Sequence, residues 1–329
     1  MSAPTLRASS IRGIGAYRPR RAVPNSEIVD RIDSSDEWIR TRSGITSRRI
    51  AGPDETVVSM AVSSANDALT DSGIEASDLD VVIVATVSHL MQTPAAASMI
   101  AHQIGATPAA AFDISVACAG FCYGVALASD MVRAGTARNV MVIGVEKLSD
   151  IANPVDRGTA FIFADGAGAG VVGASEEQGI GPVVWGSDGE NYDYIRQTVA
   201  WDEVFATEEK VWPALQMEGN SVFRWASFAM AKVAAQAVEA AGLTVDELDA
   251  FVPHQANMRI TDAMARTLKL PPDVVIARDI AEQGNTSAAS VPLALARLIE
   301  EGQVKPGDKA LLIAFGAGLA YAAQVVTLP

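Results

Sequence analysis

Ala68-Leu-Thr-Asp-Ser-Gly73-Ile-Glu-Ala-Ser-Asp78-Leu79-Asp80-Val-Val-Ile-Val84 returns later in the chain as Ala237-Val-Glu-Ala-Ala-Gly242-Leu-Thr-Val-Asp-Glu247-Leu248-Asp249-Ala-Phe-Val-Pro253. In both copies a helical pattern stops at a glycine, a polar link follows, and Leu-Asp leads into an apolar run. Glycine just past the last periodic residue is a helix stop signal, and an unbroken apolar run reads as a strand covered on both faces. Gly73 and Gly242 lie 169 residues apart, and so do Asp80 and Asp249. Further on, Val132-Arg-Ala-Gly135 precedes the strand-like Asn139-Val-Met-Val-Ile-Gly144, as Ile299-Glu-Glu-Gly302 precedes Lys309-Ala-Leu-Leu-Ile-Ala-Phe315, at an offset of 167. A period this long lies far outside the solenoid range. It implies two related α/β halves of domain size, residues 1–175 and residues 176–329.

Composition agrees. The 329 residues can bury a large core as two domains or one large α/β unit. Apolar residues make up 49% but aromatics only 6%, which suits close helix-on-sheet packing and not disorder. The two cysteines, Cys118 and Cys122, are four apart on one presumptive helix, a poor arrangement for a structural bridge, so a reduced, cytoplasmic setting is expected. Met1-Ser-Ala-Pro-Thr5 lacks the pattern of a signal peptide, and no apolar run reaches the length of a membrane span. A net charge of -14 argues against nucleic-acid binding, and an acidic partner would need a local basic patch.

Along the chain, Ser34 to Arg42 reads as a helix start with Trp38 and Arg42 on one face. A helix from Thr56 to Asp71 and a Pro- and Ala-rich helix from Thr93 to Ile104 follow. Phe161-Ile-Phe-Ala-Asp-Gly-Ala-Gly-Ala-Gly-Val-Val172 looks like a turn between two buried strands, and the stretch from Gly181 to Glu218 like loops and edge structure.

The chemistry-bearing candidates sit at strand ends. Asp113-Ile-Ser-Val-Ala-Cys118-Ala-Gly-Phe-Cys122 is a strand, a small-residue turn and a helix start. A thiol there feels the positive end of the helix dipole, which favours thiolate; the other reading is a small buried hydrophobe. By the offset of 167, Cys118 corresponds to Asn285, in Gly284-Asn285-Thr-Ser-Ala-Ala-Ser290, which also reads as an ordinary helix cap. Of the three histidines, His102 reads as structural and His89 could be either. His254 follows the repeat's second apolar strand, where sites form in open α/β sheets, or is a satisfied histidine at a strand end. Ala314-Phe-Gly-Ala317-Gly-Leu319 either offers backbone N–H groups to an oxyanion or is a tight hairpin.

Ser35-Asp-Glu-Trp38-Ile, Thr41-Arg42-Ser-Gly-Ile45, Ala117-Cys118-Ala-Gly-Phe121, Asp156-Arg157-Gly158, Val252-Pro-His254-Gln-Ala-Asn257 and Gly284-Asn285-Thr-Ser-Ala-Ala-Ser290, in this order over essentially the whole chain, resemble the β-ketoacyl-acyl carrier protein synthase III family of the thiolase superfamily. The resemblance implies a thiolase-like fold of two pseudo-symmetric βαβαβαββ-type halves in a five-layer αβαβα arrangement, usually a homodimer. It implies that Cys118 takes an acyl group from acyl-CoA. His254 and Asn285 then stabilise the enolate formed when malonyl-acyl carrier protein loses carbon dioxide. The backbone N–H groups of Cys118 and Ala317 form the oxyanion hole. Trp38, Arg42, Arg157, Asn220, Phe223 and Asn257 bind CoA, and acyl carrier protein docks on a basic face for which Arg224, Arg259 and Arg266 are candidates or else plain surface charge. Neither metal nor cofactor is called for. Two departures stand out: Thr93 where relatives often carry Phe, which enlarges the acyl pocket toward branched or longer primers, and Ala317 where relatives often carry Gly. The competing readings are a same-fold acyltransferase or starter-unit synthase of a secondary-metabolite pathway, and a non-catalytic scaffold, which would normally lose the cysteine. Elongating synthases use a second histidine where this chain has Asn285, and thiolases use a second cysteine, of which none remains in the C-terminal half.

Overall fold

The computed structural model describes residues 7–208 and 210–329, so Met1–Thr5 lies outside the described residues. The first half runs β1 (Ala8–Tyr17), β2 (Arg21–Pro24), α1 (Asp36–Ser43), β3 (Ser47–Ile50), α2 (Val57–Ser72), β4 (Val81–Ala85), α3 (Ala96–Gln103), β5 (Ala110–Ile114), α4 (Gly120–Ala134), β6 (Asn139–Lys147) and β7 (Asp165–Ser175). The second runs β8 (Val184–Ser187), β9 (Ile195–Gln197), α5 (Trp201–Ala206), β10 (Leu215–Met217), α6 (Gly219–Ala240), β11 (Ala250–Pro253), α7 (Met258–Leu268), β12 (Val275–Ile276), α8 (Ile280–Gln283), α9 (Ser290–Glu300), β13 (Lys309–Gly316) and β14 (Ala320–Thr327).

Two five-stranded sheets result, in the orders β1-β7-β6-β4-β5 and β8-β14-β13-β11-β12. In each, four strands run in one direction and one, β7 or β14, runs against them. Set aside the short ribbons β2–β3 and β9–β10 with helices α1, α5 and α8, and each half reads βαβαβαββ with identical strand order. The repeat in the sequence is therefore a repeat in topology. Its punctuation survives as well: Gly73 and Gly242, just beyond α2 and α6, have φ +64° and +73°, a region that glycine enters without a Cβ clash.

Alternation within the strands sorts side chains into layers. Val82 and Val84 of β4 pack with α2 and α3, whereas Ile83 faces the centre. Leu311, Ile313 and Phe315 of β13 pack with α6 and α7, whereas Ala310, Leu312 and Ala314 face the centre. Between the sheets lie α4 and α9, whose Phe121, Val125, Val291 and Leu295 belong to one continuous core with strands of both sheets. The order is helix, sheet, helix, sheet, helix. A fourth cluster, including Ile39, Ile45, Phe161 and Ile280, seats α1 and the β2–β3 ribbon beside the strand ends.

Two expectations need correction. Asp165-Gly-Ala-Gly-Ala-Gly is no turn; it lies inside the continuous strand β7. Its glycines bring the sheet up to α9: a Cβ on Gly168 would stand 2.7 Å from Pro292. Cys118 also does not match Asn285. The 3-10 turns Ala117–Ala119 and Ser287–Ala289 lead directly into α4 and α9, so Ala117 pairs with Ser287 and Cys118 with Ala288. Helix α9 has 11 residues against 15 in α4, so an offset measured at their C-terminal glycines does not carry back to their N-termini.

Gly144 on β6 takes the turn Ser287–Ala289 against its backbone; a Cβ there would lie 2.2 Å from Ala288 O. Gly144→Ala should therefore push the turn outward and cost about 2 kcal/mol, as overpacking does. Urea denaturation, read together with activity, checks this.

Candidate active site

The site forms where β11, β13 and the two helix-entry turns meet. Cys118 sits in the turn before α4, and the preceding Ala117 holds φ +45°, a left-handed angle that costs a non-glycine residue about 1 kcal/mol or more. Gly316, at the end of β13, abuts the cysteine: a Cβ on it would lie 2.8 Å from Cys118 N and 3.1 Å from Sγ. Burial pushes the Cys118 thiol up to about 12, outweighing the opposite pull of the Ser287 hydroxyl and the local backbone N–H. Burial therefore opposes the thiolate that the helix start favours. Cys122 is fully buried in the central core.

His254 ends β11, with its N–H donating to Ile313 O at 2.7 Å, and its ring meets Phe315 edge-on at 5.4 Å. Burial drives its pKa down to about 3, so the imidazole is neutral at ordinary pH. Nδ1 lies 2.6 Å from Ser290 Oγ, and Gln255 N donates to that same oxygen at 3.3 Å. Ser290 Oγ, with one lone pair on the Gln255 N–H, keeps a second lone pair and its own hydrogen, so it holds Nδ1 of the ring in either tautomer.

Asn285 is clamped by its backbone, with N donating to Ile162 O at 2.9 Å and Ala164 N donating to Asn285 O at 2.8 Å. Its Oδ1 accepts from Ser287 N at 2.8 Å, which leaves Nδ2 as the outward-facing donor. Cys118 thus connects to His254 through Gly316 and Phe315, and to Asn285 through Ser287. The chain brings together a thiol, a neutral imidazole and an amide donor, an arrangement able to polarise a carbonyl oxygen.

The other candidates are placed as follows. Trp38, on a helix capped by Ser35, carries Arg157 at 5.2 Å and Arg42 at 5.6 Å from its ring centroid. Asn257 caps α7 through Arg259 N and donates to Arg42 O at 3.0 Å, tying the CoA candidates of α1 to α7. Asn220 is exposed in the first turn of α6; Phe223, one turn on, is half-buried. Arg259 stacks over Phe223 at 4.9 Å, and Arg224, Arg259 and Arg266 are all exposed. Thr93 is exposed just after Leu90 and Met91, and Ala317 holds no left-handed angle. His102 is exposed on α3, and His89 Nε2 is buried without a partner. Ser287, Ser290 and Gly316 lie within motifs quoted from the sequence, but the sequence alone assigns no role to any of the three. Among the described residues no group of three or more His, Cys, Asp or Glu is placed to hold a metal, and no helix is long and apolar enough to cross a membrane.

The family models and the most similar curated relatives agree on one family. The family model for 3-oxoacyl-[acyl-carrier-protein] synthase III matches residues 112–189, and that for its C-terminal part matches residues 238–328. The chain is 57% identical to β-ketoacyl-[acyl-carrier-protein] synthase III 1 of Streptomyces coelicolor, over 97% of this chain and 96% of that protein. It is 54% identical to the mycobacterial β-ketoacyl-[acyl-carrier-protein] synthase III of Mycobacterium avium, over 96% and 94%. Among solved structures, the priming β-ketosynthase of the R1128 polyketide pathway superposes with a TM-score of 0.98 at 47% identity, covering 100% of this chain and 98% of that one. The 3-oxoacyl-[acyl-carrier-protein] synthase III of Aquifex aeolicus gives 0.89 at 37%, covering 97% and 100%. With relatives this similar over nearly its whole length and both family models matched in order, the chain belongs to the 3-oxoacyl-[acyl-carrier-protein] synthase III family, on the thiolase-like fold that its two repeated halves build.

Proposed function

We infer that this protein initiates fatty acid synthesis, transferring an acyl group from acyl-CoA to Cys118 and condensing it with malonyl-acyl carrier protein, with release of carbon dioxide and CoA. The observation that carries the residue roles is the pair of neutral groups beside the thiol: the His254 imidazole, held at Nδ1 by Ser290, to whose Nε2 we assign the ring proton, and Asn285, whose Oδ1 is taken by the Ser287 N–H and whose Nδ2–H is left to donate. A neutral donor pair suits a thioester carbonyl that becomes an enolate oxygen as carbon dioxide leaves. Decarboxylation supplies the carbanion, which attacks the acyl-cysteine. The N–H groups of Cys118 and Ala317 serve as the oxyanion hole, consistent with Gly316 lying against the cysteine.

For the first substrate, we assign adenine to the Trp38–Arg157 face, phosphate to Arg42, and the pantetheine arm to Asn220, Phe223 and Asn257. Displacing Arg157 from Trp38 for adenine would keep the cation–π character of the stack. Acidic carrier protein docks at Arg224, Arg259 and Arg266. We also propose a homodimer: Leu90 and Met91, 50% and 51% exposed, offer apolar surface next to Thr93, which then reaches the partner's acyl pocket. Two cysteines left as free thiols fit a cytoplasmic setting.

Radiolabelled acyl-CoA should label the wild type and leave Cys118→Ala unlabelled. His254→Ala and Asn285→Ala should still take up label while condensation falls about 100-fold or more, the loss typical of one oxyanion donor. Loss of labelling in all three would overturn the division of roles. With acetyl-, isobutyryl- and longer acyl-CoA and malonyl-acyl carrier protein, product mass spectra should show branched or longer primers accepted; strict acetyl preference would sink the role given to Thr93. Stability should report His254's neutrality. Below its ordinary pKa of 6.5 the unfolded chain binds a proton that the folded chain refuses until about 3, so stability falls as pH falls through that window. Relative to His254→Asn, the wild type should lose about 2 kcal/mol between pH 7 and pH 5, measured by denaturant titration.

A further inference from the structure

Glu146 is fully buried within strand β6, and the condensation chemistry gives it no task. Its Oε2 accepts from Ser88 Oγ at 2.5 Å, Val87 N at 3.1 Å and Thr86 Oγ1 at 3.3 Å. Its Oε1 has no hydrogen-bond partner. The Ser287 hydroxyl stands beside this carboxyl and beside the Cys118 thiol, yet closes a full hydrogen bond to neither. Two polar atoms, Glu146 Oε1 and Ser287 Oγ, are thus buried and unpaired in the space between carboxyl and thiol. Each such atom costs about 1–3 kcal/mol, and a native fold that keeps them calls for a reason. The backbone adds to the cost, because Ser287 holds φ +48°. Gly144, two residues before Glu146 on the same face of β6, lets this turn settle onto the strand.

We propose that Ser287 and Glu146 form a proton relay for Cys118: as Sγ attacks the thioester carbon, its proton passes to Ser287 Oγ while the Ser287 hydroxyl proton passes to Glu146 Oε1. This rests on Cys118 being the acyl-carrying nucleophile. The bond from Sγ to the acyl carbon forms, and the bond from that carbon to the CoA sulfur breaks with its electron pair on the sulfur. The proton then returns from Glu146 through Ser287 to the departing sulfur. Acyl-CoA and thiol become acyl-cysteine and CoA thiol, and the carboxylate is restored.

Charge favours this route. His254 is a poor acceptor for the proton, since burial holds its imidazole neutral. An ionised Glu146 opposes a thiolate beside it, so thiol and carboxylate cannot both be charged cheaply; moving one proton between them keeps a single negative charge in the buried space. Burial also holds Glu146 up to about 7, where a carboxyl can both accept and return a proton. The groups facing it are the hydroxyls of Thr86, Ser88 and Ser287, the N–H of Val87 and, beyond Ser287, the thiol.

The test is acylation of Cys118 by acyl-CoA alone, followed by rapid-quench mass spectrometry from about pH 6 to pH 10. The proteins are wild type, Glu146→Gln, Glu146→Asp and Ser287→Ala. The backbone of Ser287→Ala is tolerable, because Ala117 already holds the matching angle in the first half. Wild-type acylation should rise through about pH 7 as Glu146 ionises. At neutral pH, Glu146→Gln and Ser287→Ala should acylate about 100-fold more slowly, within the range of general-base losses. The deficit should shrink as pH rises and solvent base takes over, and Glu146→Asp should recover part of the rate. Wild-type rates in both variants, or a deficit constant across pH, would overturn the relay while leaving the nucleophile intact. A wild-type protein with no adduct on Cys118 would overturn the nucleophile and the relay together.

Discussion

Everything at the centre of this molecule depends on two left-handed turns pressed against each other between the sheets. Ala117 and Ser287 open them, at nearly the same positive φ, and each turn feeds directly into a helix of the middle layer. They meet so closely only because the surrounding backbone is bare. Gly120 faces Ala85 and Ala288, Gly144 faces Ala288, and Gly316 faces Cys118, all at distances where a methyl group would collide or crowd. One central core contains residues of both halves, so neither half closes its own interior without the other. The site is the place where that shared packing reaches the ends of the strands.

The same closeness sets the electrostatics. Burial pushes each ionisable group toward its neutral form: the Cys118 thiol up to about 12, the His254 imidazole down to about 3 and the Glu146 carboxyl up to about 7. Orientation is then supplied by uncharged partners. Ser290 holds the His254 ring at Nδ1, and the Ser287 N–H sets the amide of Asn285. Gln255, buried in the same motif as His254, holds Pro253 O with its Nε2 and Ile280 N with its Oε1, which fixes the end of β11 to α8. A neutral, preorganised site suits chemistry in which charge develops only transiently on sulfur and on enolate oxygen.

Much of this was legible in one dimension. The repeat around Gly73 and Gly242 foretold two α/β halves because helix stops and buried strands leave local marks: a glycine where φ is positive, an unbroken apolar run where both faces are covered. The motifs around Cys118, His254 and Asn285 pointed to the family. Glu146 left a mark that went unread, a carboxylate at the end of the apolar run Val140-Met-Val-Ile-Gly-Val145. The glycines of β7 misled, because a glycine that spaces a strand from a helix looks the same as one that turns the chain.

The sequence by itself determined the two repeated halves, since helix stops and buried strands are written in local periodicity, and its motifs pointed to the family. The tertiary structure alone decided which turn residues are equivalent, because helices of unequal length break a constant offset. It also decided the burial of the thiol. The dipole of a helix start can be read from one segment, whereas the burial that opposes its effect comes from the other half of the chain folding over Cys118.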